Sequence, residues 1–219
     1  MAGVALVAAL LYQPHSAPSS HDAGLYVWGL FSALSLLGAA ATLLPHLCGR
    51  AAVGAEALDP SRTSTLLGIS VVHGHHPPCG GFQGHEFAID GKTYCAGCVG
   101  LLLGASTATV LATLHFVHGF TYLPAAAPLG LCLVALGLLH VPLLRISIPL
   151  LRSALNAGLV AGFALALATA DEVGGSGLDL IVIGMCVFWM ITRIQLSSWD
   201  HEKVCLNCGY RCVTEVAKA

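Results

Sequence analysis

The sequence predicts an all-α integral membrane bundle of about five transmembrane helices, carrying a small cysteine- and histidine-rich patch outside the bilayer. Three observations lead there. Of 219 residues, 56% are hydrophobic and only 9% are charged, against roughly a quarter charged in soluble domains. Mean hydropathy is +0.81, and the apolar residues gather into runs of bilayer-crossing length. Finally, the nine Lys and Arg residues all fall in segments that this number of spans would place on one side.

Crossing the hydrocarbon core takes about 20 mainly apolar residues in a helix. The segments that meet or approach this length are Gly24 to Leu47, Cys98 to Val117, Leu123 to Leu144, Pro149 to Ala170 and Gly177 to Ile194. The chain thus divides into an extracytoplasmic N-terminal segment (1–23), a first span (24–47), a long loop (48–97), the remaining spans (98–194) and a cysteine-rich tail (195–219). The opening run MAGVALVAALLY is apolar but too short to span, and it lacks the positive start of a secretory signal. A helix packed on the bundle or lying at the interface is expected there. Gly100/Gly104 and Gly158/Gly162 have the small-xxx-small spacing that lets helix backbones approach in lipid.

Orientation follows from the basic residues. Arg50, Arg62 and Lys92 lie in the long loop, Arg145 and Arg152 flank the third-to-fourth connection, and Arg193, Lys203, Arg211 and Lys218 close the chain. The opposite side carries HGFTYLP and the acidic loop DEVGGSGLD, without Lys or Arg. A Lys/Arg excess marks the cytoplasmic face. The expected topology in the cell membrane is N-terminus outside and C-terminus cytoplasmic, with Arg152 snorkelling from a helix end. A net charge of −2 gives no footing for nucleic acid. The partners expected are the lipid bilayer and a metal ion; no protein partner is legible.

The chemistry concentrates in residues 73–98, HGHHPPCGGFQGHEFAIDGKTYCAGC. Within it, EFAIDGKTYC reads as a hairpin turning at Asp90-Gly91, which pairs Ile89 with Lys92, Phe87 with Tyr94 and Glu86 with Cys95. Phe87, Ile89 and Tyr94 then share a face available for packing on the bundle. Cys95 and Cys98 form one C-x-x-C pair and Cys205 and Cys208 a second, with Gly209 permitting a tight turn behind it. A reducing cytoplasm favours metal ligation over disulfides for such pairs. Two knuckles on one side of a membrane can close a four-thiolate zinc site, and the stretch from Ile194 to Cys205 is long enough to reach. A competing mixed site uses Cys79, His85, Cys95 and Cys98, while His201 and Cys212 could complete or extend either. His73, His75 and His76 read equally well as a solvated polar loop.

The same motif supports other chemistry. Cys98 at a helix start would feel the positive end of the dipole, which favours a redox-active thiolate. An iron–sulfur cluster shares the ligand set with zinc, whereas the C-x-x-C-H pattern of covalent haem attachment is missing from the sequence. Within or beside the spans lie His46, His115, His118, His140 and Asn156. Such groups are costly in lipid and often functional, although His115 and His118 also fit a wet interface. Cys132 and Cys186 read as packing residues, and Cys48 is ambiguous. Asp171, Glu172 and Asp179 fall in the outer loop, so no acidic pair is expected mid-membrane.

The pattern C-x7-F-x-I-x-G-x3-CAGC-x-GLLLG, through Cys79, Phe87, Ile89, Gly91, Cys95, Cys98, Gly100 and Gly104, resembles a family of small prokaryotic multi-pass membrane proteins. That family's motif runs from a cysteine to C-A-R-C-x-G-I-Y-x-G. Gly97 stands where the family has arginine, and Gly80 where histidine is usual. The resemblance covers residues 79–104 only and implies a multi-pass membrane protein with a cytoplasmic cysteine motif, of no assigned activity. The function expected is a membrane protein with a cytoplasmic-side thiolate metal site, structural or regulatory. A redox protein and a metal transporter or sensor are the alternatives, and no catalytic residue can be named.

Overall fold

The computed structural model describes residues 2–12, 21–43, 61, 63–66, 69–72, 74, 76, 80–122, 125–144 and 146–208. Helix α1 is Ala2–Leu11 and α2 is His21–Leu43. Two antiparallel hairpins follow: β1 (Thr63–Leu66) with β2 (Ile69–Val72), and β3 (Glu86–Ile89) with β4 (Lys92–Cys95). Helices α3 (Ala96–Phe116), α4 (Ala126–Leu139) and α5 (Pro149–Cys208) complete the chain. Four helices are long and apolar enough to cross a membrane, at Ala23–Leu43, Ala96–Phe116, Ala126–Leu143 and Pro149–Asn207. Helix α1, apolar but short, packs on α4 and α5, with Val7 fully buried.

The last of these helices is folded in two. Arg152 and Asp200 are 48 residues apart in sequence yet 3.4 Å apart in space; a straight helix would separate them by about 70 Å at 1.5 Å per residue. The reversal falls at Gly175, the one non-helical residue inside α5, whose φ of 67° lies in the left-handed region that glycine enters without a steric penalty. Asn156 meets Arg193 on the same plan. The DEVGGSGLD segment, expected as a loop, is therefore helical up to and away from a single turning residue.

Small residues set how the helices meet. Ser153 donates to the carbonyl of Ala96 at 2.6 Å, and a Cβ on Gly100 would run into the Ser153 backbone. One on Gly104 would lie 2.8 Å from the Ala157 carbonyl oxygen, and one on Gly162 2.6 Å from that of Gly130. The two glycine pairs expected at contacts are thus at contacts. Helix α3 runs alongside the first arm of α5, and α4 runs against it, with Gly137 facing Leu155 and Leu159. Helix α2 is antiparallel to α3, fixed by Trp28 Nε1 donating to Thr113 at 3.0 Å. The bundle consequently has two ends: a cysteine end at the start of α3 and a reversal end at Gly175.

Other expectations shift. Helix α3 begins at Ala96, with Cys95 at the N-cap, two residues before the expected start. The tail does not form a knuckle up to Cys208: residues 195–208 continue α5, since Trp, Glu, Lys and Leu sustain a helix and no Gly or Pro interrupts before Gly209. The β1–β2 hairpin was not anticipated, although TSTL and ISVV are rich in β-branched residues. Arg152 does not snorkel; it is buried, because the return arm of α5 covers it. Replacing Gly104 with Leu should cost about 1–3 kcal/mol through overpacking, read as a lower unfolding midpoint in detergent. Gly177→Ala, with open space around the new Cβ, should leave the midpoint equal or higher.

Candidate functional site

The site forms where the β3–β4 hairpin hands over to α3. Asp90 (φ 50°) and Gly91 (φ 75°) make the tight turn, and the pairs are Ile89 with Lys92, Phe87 with Tyr94 and Glu86 with Cys95, the register expected. The Phe87 and Tyr94 rings stack at 6.0 Å, but Ile89 is 53% exposed, so that face as a whole does not pack on the bundle. The buried end is Cys95. The hairpin is latched to the helix by the Ala96 amide donating to the His85 carbonyl at 2.8 Å, which satisfies an otherwise orphaned helix N-terminal donor.

Cys95 is buried and touches two other soft donors. His76 Nε2 lies 3.3 Å from its sulfur, and the Cys98 thiol, in the first turn of α3, is hydrogen-bonded to it. The Arg193 charge acts on both sulfurs. Arg193 is itself held by Asn156, whose Oδ1 accepts from its Nε at 2.9 Å and whose amide donates to the Arg152 carbonyl at 2.8 Å. Side chains on both arms of α5 thereby place a fixed cation behind the cysteine pair.

Around His76 stand three more rings. Phe82 stacks on it at 4.6 Å, His201 meets it edge-on at 4.7 Å and His85 at 5.7 Å. These rings come from the chain segment before α3, the turn at Gly80–Phe82 and the return arm of α5, so the group ties loop to tail. His85 Nε2 is 3.1 Å from Asp200 Oδ2. A carboxylate only accepts, so this nitrogen carries the hydrogen. Arg152 donates to the same oxygen at 3.4 Å and to the Ile146 carbonyl at 3.3 Å.

Of the expected ligands, Cys95 and Cys98 are together, while His85 and His201 are neighbours in the ring cluster. Cys205 is disulfide-bonded; in that state its sulfur is not a thiolate and cannot serve as the expected zinc ligand. Cys79, Cys212, His73, His75, His46 and Cys48 lie outside the described residues, as does the side chain of Cys208. Among the described residues no group of three or more His, Cys, Asp or Glu side chains forms a ready metal cage. His76, read beforehand as solvated as readily as ligating, is 5% exposed and in the centre. Arg152, Arg193, Asp200 and Phe82 were not singled out for the site. The available signal was ionisable residues close to the ends of apolar runs, where each needs a partner.

The remaining polar positions separate. His118 is exposed and His115 is buried at the reversal end. His140 is fully buried, with Nδ1 2.7 Å from the Gly137 carbonyl. Cys186 is buried as a packing residue, but Cys132 is exposed. In comparisons with known proteins, no family model, no curated protein and no solved structure matches the chain.

Asp200→Ala should leave Arg152 and His85 buried without their shared acceptor, lowering stability by about 1–3 kcal/mol. Thermal unfolding in detergent checks this, and the Arg152→Met, Asp200→Leu double variant should regain part of the loss, because both charges are then gone.

Proposed function

We propose that the chain is a multi-pass protein of the cell membrane whose cysteine end is cytoplasmic and holds a metal ion, zinc first, in a structural or regulatory role. The membrane reading is supported by the long apolar helices and by an outer surface on which Leu37, Val110, Leu129, Leu180 and Phe188 are each more than half exposed. Water would penalise such a surface and lipid would not. The one-sided Lys and Arg support the orientation.

The metal reading rests on one observation: Cys95 contacts Cys98 and His76 at once. With zinc–sulfur bonds of about 2.3 Å and zinc–nitrogen bonds of about 2.0–2.1 Å, adjacent donors of a tetrahedron sit roughly 3.5–3.8 Å apart. The 3.3 Å sulfur–nitrogen contact is close to such an edge. Burial of Cys95 suits a closed site, and Arg193 offsets thiolate charge. A further donor comes from the remaining cysteines: Cys79 lies in sequence between His76 and Phe82, Cys208 and Cys212 lie in the tail, and Cys205 becomes eligible once reduced. Zinc there would join loop to tail and add folding free energy that a small polar patch cannot gain from apolar burial.

Elemental analysis of protein purified under reducing conditions should find about one zinc per chain, lost in Cys95→Ser and in His76→Ala. Wild type holding less than about half an equivalent, with its thiols freely titratable, would overturn the reading. A colourless preparation separates zinc from an iron–sulfur cluster.

A second reading is favoured by the Cys205 disulfide at the same end of the bundle as the reduced Cys95/Cys98 dithiol. Here Cys95 and Cys98 close a disulfide, giving two electrons and two protons to a disulfide that becomes two thiols. The Arg193 charge stands behind both sulfurs. Acid-quenched thiol labelling in cells should then show Cys95 and Cys98 partly oxidised, with a mixed disulfide accumulating in Cys98→Ser. A pair that stays fully reduced under oxidant, with no such adduct, excludes this chemistry.

A further inference from the structure

At the opposite end of the bundle, the reversal at Gly175 folds Asp179 back onto Asp171; each is four residues from the turning glycine. Asp179 is 0% exposed, and among the described residues neither of its carboxyl oxygens has a hydrogen-bond donor. Its one polar contact among the described residues is the Asp171 carboxyl. Asp171 accepts from His115 Nε2 at 3.0 Å, while His115 Nδ1 lies 2.9 Å from the Phe120 carbonyl oxygen and 3.8 Å from Glu172 Oε1. Both ring nitrogens thus face acceptors only, which requires hydrogen on each and makes the ring a cation.

The charges can then be counted. Among the described residues, His115 is the cation that faces Asp171. An ionised Asp179 would be a second carboxylate, in contact with the first, shielded from water and without a donor. Two carboxylates at contact do not both ionise, and a buried unpaired charge is expensive. Among the described residues, the surrounding groups offer no relief. Glu172 is acidic and accepts from the Tyr122 amide at 3.3 Å. Tyr122 turns its hydroxyl to the Leu111 carbonyl at 2.7 Å, and burial together with Glu172 pushes its phenol above the usual range, so it is neither a base nor a donor for Asp179. His118 is exposed, and α1, which packs on the return arm, carries no titratable side chain within Ala2–Leu11.

We propose that Asp171 and Asp179 form a proton-binding site, a carboxylic acid hydrogen-bonded to a carboxylate and anchored by His115, which ties the reversal of α5 to the end of α3. The bound proton supplies the donor that the geometry lacks. Its loss puts two negative charges in contact across the turn, so the closed reversal is the acid-stabilised state. The linkage has a definite sign. The folded state holds a proton that an unfolded aspartate, with a pKa of about 3.9, has released at neutral pH, and stability therefore falls as pH rises, by up to tenfold in the folding equilibrium per pH unit for one proton.

Infrared spectroscopy of the full chain in detergent, at neutral pH, should show a protonated-carboxyl carbonyl band that shifts in heavy water and is lost in Asp179→Asn or in Asp171→Asn. Asp179→Asn, whose amide supplies the missing donor, should also flatten the decline of the unfolding midpoint between mildly acidic and neutral pH, the range in which the folded chain keeps the proton and the unfolded chain has released it. Absence of the band in wild type, or its survival in both variants, overturns the proposal, and the wild-type spectrum decides even if a variant does not fold. Calcium, magnesium or zinc raising the wild-type midpoint but not that of Asp179→Asn would assign the site to a metal cation and overturn the proton.

Discussion

The reversal of α5 at Gly175 is the constraint on which the remaining architecture depends. Without a residue able to take a positive φ there, Pro149–Cys208 would be a single rod, and the side chains at its two ends would never meet. With it, Arg152 faces Asp200, Asn156 faces Arg193, and Asp171 faces Asp179. The first two contacts assemble the polar floor beneath the cysteine pair; the third creates the acidic pair at the far end. Both chemically distinctive regions are therefore products of one turn, positioned by helix length on either side of it.

Close backbone approach does the rest. Where α3 lies along the first arm of α5, Gly100 and Gly104 leave no room for a side chain, so the start of α3 is fixed against Ser153 by a 2.6 Å hydrogen bond. The β3–β4 hairpin inherits that position through the His85 carbonyl. Cys95 is consequently placed by three things at once: strand register, helix cap and helix–helix packing. A thiol so constrained keeps its neighbours.

Much of this was legible in the sequence because it is written in local patterns. Asp90-Gly91 between β-formers fixes a hairpin register, and apolar runs fix helices. The small-xxx-small pairs fell at helix contacts for the same reason: spacing on one helix face suffices to locate them. What escaped is non-local. His76 reads in sequence like His73 and His75, and it is the stacked Phe82 and the returning helix that hold it in the site. The acidic stretch around Gly175 looked like a solvated loop because three carboxylates among several glycines ordinarily are one; the fold instead encloses Asp179. The helical run to Cys208 was hidden by the C-x-x-C motif, whose usual association with knuckles outweighed the propensity of WDHEKV.

The length of the return arm has one more consequence. From Gly177 to Cys208 it rises about 48 Å at 1.5 Å per residue, well beyond the roughly 30 Å of a hydrocarbon core. If the bundle is seated in a bilayer, the final turns stand clear of it as a pillar. Asp200, His201 and Cys205 then ride on rigid scaffolding, not on a slack tether, and their distance from the lipid is set by counting turns.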